Sequence, residues 1–100
     1  MSKARAPFDP GDPFDAMAES IRRQVCDIAL GMLNVGVYRD LPPGRQLECL
    51  MAGLLTGTIG VLFAQIDRAH TVEGRDEFMR AIADYLPLAR QNAEEIIYNG

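Results

Sequence analysis

The sequence has few of the residue types that build metal centres, disulfide scaffolds and nucleic-acid platforms. Its 100 residues include no Trp, one His and two Cys. A single His excludes metal clusters that need several histidines, and two Cys are too few for a disulfide-dense fold. The three Tyr lie in separate segments, so they form no aromatic platform for single-stranded nucleic acid. We therefore predict no catalytic residues, no metal site and no cofactor.

The two cysteines and the single histidine have simple structural interpretations. Cys26 and Cys49 stand in apolar surroundings on different predicted helices, which is typical of reduced, buried thiols in a cytoplasmic protein. His70 stands at a predicted helix end beside Asp67 and Arg68, where we expect a surface residue or a partner of the helix dipole. A catalytic or ligand-binding role for His70 is the alternative.

The chain is slightly acidic, with 14 Asp and Glu against 10 Lys and Arg and a formal net charge of -4. A general nucleic-acid binder needs a basic face that displaces counterions from phosphates. We therefore expect no direct binding of nucleic acid. Lys3 and Arg5 precede no apolar run, so we predict no secretory signal and a cytoplasmic location.

Composition and periodicity predict an all-α fold. Leu, Ile, Met and Ala, which favour helices, make up much of the apolar content. We predict an antiparallel three-helix bundle, with helices at about 13–37, 43–69 and 72–98. Residues 1–12 are expected to be flexible and residues 13–100 to form a single helical domain.

Local signals mark the ends of these helices. Asp12 and Pro13 suit the N-cap and first position of the first helix, and Thr71 suits the N-cap of the third. Pro87 predicts a kink or break near Leu86, because proline lacks the N–H donor and clashes with the preceding turn.

Both outer helices are predicted to be amphipathic and to cover the central helix with an apolar stripe. Arg22 and Arg23 fall off the first stripe and are expected to face water. The stripe of the first helix comprises Met17, Ile21, Val25, Ile28, Met32 and Val35. That of the third comprises Phe78, Ile82, Tyr85, Ala89, Ala93 and Ile96.

The central helix is predicted to have two different apolar faces, because no charged residue lies between Glu48 and Asp67. At 100° per residue, large aliphatic side chains fall on one face and small ones on most of the other. The small face, expected to pack closely against another backbone, comprises Ala52, Gly53, Thr56, Gly57, Gly60 and Ala64. Its partner is either another helix of the same chain or a second copy. Since one small bundle does not readily cover two apolar faces, we predict a homodimer.

A membrane span is the alternative interpretation of the central helix. Its uncharged stretch of eighteen positions lies near the lower limit for crossing a bilayer. However, the stretch contains three Gly, two Thr and a Gln, and no aromatic belt or basic cluster flanks it. We therefore favour a helix surrounded by protein.

Three functions are compatible with this pattern. The preferred one is a non-catalytic protein-binding helical module or accessory factor that is dimeric and binds another protein. The first alternative is a small acidic inhibitor from a phage or mobile element, of the anti-CRISPR type, which blocks a host nucleic-acid-binding complex. The second is a small-ligand carrier or enzyme subunit. An inhibitor would use the acidic face of the third helix, formed by Glu73, Asp76, Glu77 and Asp84.

Overall fold

The structure, a computed structural model, describes residues 8–99 apart from the side chain of Asn99, and this part of the chain is all-helical. Its α-helices are α1 (Pro13–Met32), α2 (Gly36–Arg39), α3 (Pro43–Ala64) and α4 (Val72–Glu94). A 3₁₀ turn covers Asp67–His70 and a π-helical turn covers Glu95–Asn99. No strand occurs within these residues, which confirms the predicted all-α class.

The first helix is shorter than predicted. α1 ends at Met32, and the N–H groups of Leu33 and Asn34 donate to carbonyls three residues back, at 3.2 and 3.3 Å. Such bonds tighten and end a helix, and Gly31 and Asn34 both have low helix propensity. The chain then turns into the separate helix α2, which starts at Gly36.

The second helix begins at Pro43, as predicted, but ends at Ala64 rather than near residue 69. Gln65 and Ile66 donate to carbonyls three residues back, at 3.1 and 3.2 Å. The 3₁₀ turn follows directly. The segment predicted as one helix over 43–69 therefore consists of α3 and a separate short turn.

Of the predicted kink or break at Pro87, the break is wrong, because α4 continues through this residue to Glu94. The kink stays a prediction. A proline removes one N–H donor, whereas the N–H groups of the neighbouring residues can still support the helix. The π-helical turn then extends helical backbone to Asn99, close to the predicted end.

The predicted caps of α1 and α4 are confirmed. Asp12 accepts a hydrogen bond from the N–H of Asp15 at 2.9 Å, and the Asp15 carboxylate accepts one from the N–H of Asp9 at 3.1 Å. Thr71 caps α4 by accepting a bond from the N–H of Gly74 at 3.0 Å. The bonds from Asp15 and Gly74 satisfy N–H groups that the first helical turn leaves unpaired, and the bond from Asp9 ties the preceding segment to α1.

The chain divides into two compact units. One contains residues up to Glu19 together with those from Asp67 onward, and the other is Ser20–Ile66. The single domain predicted for residues 13–100 stays a prediction. Of the N-terminal segment predicted to be flexible, residues 8–12 form a turn closed by the N–H of Asp12 on the Asp9 carbonyl at 3.1 Å, and residues 1–7 lie outside the described part.

Burial is slight throughout residues 8–98, where only Ala69 and Gly74 are buried. In the first unit, much of the stripe predicted for the third helix is half-buried, namely Phe78, Ile82 and Ala89 of α4 and Ile96 of the π-helical turn. The second unit half-buries several aliphatic residues of α3, namely Leu50, Leu54, Ile59 and Leu62. Many large apolar side chains therefore remain in contact with water.

Candidate protein-interaction surfaces

The apolar stripe of α1 lies on the surface of the second unit. The side chains that α1 half-buries there are Arg22, Cys26 and Ala29, whereas the large apolar ones are 42–68% exposed. These exposed residues, called here the α1 ridge, are Ile21, Val25, Ile28 and Met32. The expectation that the stripe covers the central helix while Arg22 faces water is therefore wrong. Because Cys26 and Ala29 have small side chains, α1 can pack through the side that carries them. The Arg22 guanidinium donates to the Cys26 sulfur at 3.7 Å.

The aliphatic face of α3 is covered only in part. Alongside its half-buried residues, four large side chains of α3 are 51–64% exposed. They are Leu47, Met51, Leu55 and Val61. By length and composition α3 is also the one helix among residues 8–99 that could cross a membrane, and none of its apolar window is buried. A single such helix is weak evidence for a membrane protein.

All six residues of the predicted small face of α3 are exposed: Ala52, Gly53, Thr56, Gly57, Gly60 and Ala64. A Cβ atom added to Gly53, Gly57 or Gly60 would meet nothing within 4 Å beyond the helix's own nearby backbone. Within Ser20–Ile66, no other segment packs closely against these glycines. Packing against another helix of the chain, or against a second copy, stays a prediction.

An apolar groove of about 300 Å³ runs between α1 and α3 in the second unit. Ile28 and Met32 line it from α1, and Cys49 and Gly53 line it from α3. Tyr38 of α2 also contributes to the lining. The structure thus places part of the α1 ridge directly beside part of the small face of α3.

Hydrogen bonds hold α2 against the start of α3 at this groove. The Tyr38 hydroxyl donates to the Gln46 carbonyl at 3.1 Å. The Gln46 amide donates to the carbonyls of Leu41 at 2.9 Å and Arg39 at 3.2 Å. Because these bonds cross the connection between α1 and α3, they position Tyr38 where it lines the groove.

The structure divides the predicted small face between two places. Ala52 lies at a neighbouring surface depression with Leu41, Arg45 and Glu48, and Cys49 lines both this depression and the groove. Arg45 and Glu48 form an ion pair there. Gly53, by contrast, belongs to the apolar groove. Of the small face, Gly53 is therefore the residue that lines the groove beside the α1 ridge.

The prediction that both cysteines are buried is wrong. Cys26 and Cys49 are free thiols, as predicted, but Cys26 is half-buried and Cys49 is exposed. Periodicity places both cysteines on helices, but it does not show which side of each helix is covered by other segments. Cys49 is consequently a natural chemical probe of the groove.

The predicted acidic face of α4 is present on the surface of the first unit, where Glu73, Asp76, Glu77 and Asp84 are all exposed. Helical periodicity places them on the side opposite Phe78. Glu77 accepts a bond from the Arg68 guanidinium at 2.8 Å, whereas the other three acidic residues form no ion pair within residues 8–98. One of the four charges is therefore already partnered.

Sequence reasoning missed a tightly packed corner where the 3₁₀ turn meets α4. Gly74 is buried there, and an added Cβ would lie 1.8 Å from the carbonyl oxygen of Arg68. Arg75 donates to the Ala69 carbonyl at 2.8 Å, which holds the same corner. The signal in the sequence is a glycine three residues after the capping Thr71, where Glu or Gln commonly completes a capping box.

His70 is exposed at the end of the 3₁₀ turn, as the sequence predicts for a surface residue. Its Nδ1 atom contacts the carbonyl oxygen of Asp67. Among residues 8–98, no group of three or more His, Cys, Asp or Glu side chains is placed to hold a metal ion.

Comparison with known proteins identifies no relative. The chain matches no protein-family model, and no curated protein or solved structure shows significant similarity to it. Functional inference therefore depends on the surfaces described above.

Proposed function

We propose that this chain is a non-catalytic, cytoplasmic protein-binding module that acts as a homodimer. The observation that carries the proposal is the apolar surface left open on α1 and α3 of the second unit. In the dimer, the three long helices would form the antiparallel bundle that periodicity predicts. The bundle and the dimer are both parts of the proposal.

The size of the open surface supports a binding role. A Leu or Ile side chain has ~120 Å² of apolar area, and burying apolar area stabilises by ~25 cal/mol per Å². At the observed exposures, the α1 ridge and the four exposed residues of α3 together leave ~500 Å² uncovered. Covering that area would contribute ~13 kcal/mol before the entropy of association is subtracted. This is comparable with the whole stability of a small protein, so leaving it in water is strongly unfavourable.

Co-purification tests the protein-binding role. The tagged chain would be recovered, after cross-linking, from the cells that carry its gene, and its partners quantified by mass spectrometry. We expect one protein in near-stoichiometric amount, and we expect Met51→Lys to reduce it because a charge would enter the exposed aliphatic face of α3. Gln65→Lys, at the exposed C-cap of the same helix, is the matched control. Recovery of no reproducible partner would contradict the proposal.

A second candidate is the acidic inhibitor, which the surface of α4 favours. Glu73, Asp76 and Asp84 present three carboxylates without ion-pair partners among residues 8–98. Such a face can associate with a basic groove that ordinarily holds nucleic acid. The inhibitor would lose binding when these residues become Gln or Asn, and its binding would weaken steeply with salt. A partner held by the aliphatic surface would be nearly insensitive to both changes.

A further inference from the structure

We draw no further inference here: the strongest candidate, the apolar surface that α1 and α3 leave exposed in the second unit, is an open surface patch, and nothing in the described part of the chain shows what covers it.

Discussion

Replacing Gly74 with alanine should strongly destabilise the corner between the 3₁₀ turn and α4. The added Cβ would lie 1.8 Å from the Arg68 carbonyl oxygen and 2.6 Å from the carbonyl carbon. Ordinary contact between such atoms is about twice the shorter distance, so one backbone segment must move. Both atoms belong to the main chain, and a change of side-chain rotamer cannot relieve the clash.

The structure sets the size of the effect. The Arg68 carbonyl accepts bonds from the hydroxyl and the N–H of Thr71, at 3.1 and 3.3 Å. The Thr71 hydroxyl in turn accepts the N–H of Gly74. Losing two or three such bonds costs about 1 kcal/mol each, and the forced backbone shift adds about 1–3 kcal/mol. The higher helix propensity of alanine offsets about 1 kcal/mol of this loss. Gly74→Ala should therefore lower the free energy of unfolding by about 2–5 kcal/mol.

Urea denaturation followed by far-UV circular dichroism would measure this change. All variants would be compared at one protein concentration, because the proposed dimer would make the apparent stability depend on concentration. Gly44→Ala is the control, since its new Cβ meets nothing within 4 Å and stability should hold or rise slightly. If Gly74→Ala were as stable as the wild type, the Arg68 carbonyl would not lie against Gly74, and the description of this corner would be wrong.

Three smaller predictions concern single side chains. Thr71→Val should lower the free energy of unfolding by about 1–2 kcal/mol in the same assay, because it removes the cap of α4; an unchanged value would contradict the cap. Pro87→Ala should raise the thermal midpoint, because alanine supplies the N–H that this interior position of α4 lacks; a lower midpoint would mean that the proline ring itself stabilises the helix. Cys49 should react with iodoacetamide faster than Cys26 at low protein concentration, because Cys49 is exposed and Cys26 is half-buried. Mass spectrometry would measure both rates, and faster reaction of Cys26 would contradict the prediction.

Helix starts were predictable because they depend on neighbours in the chain. Asp12, Pro13 and Thr71 act within a few residues of their own positions, so their capping roles follow from local chemistry. The end of α3 was predicted too late, because the change from α-helix to a 3₁₀ turn depends on competition between bonds of similar energy. Gly74 was overlooked because its close neighbour is the backbone of the preceding turn.

The side of a helix that its neighbours cover is a different kind of property. Periodicity correctly groups Ile21, Val25, Ile28 and Met32 on one side of α1, but their exposure depends on how the second unit packs. α1 half-buries Cys26 and Ala29 in place of its large residues, and the glycines of α3 remain open. Local spacing therefore determines which apolar residues and which small residues lie on the same side of a helix. Tertiary packing alone leaves a ridge beside a groove on the surface, because burial is decided by contacts between segments distant in sequence.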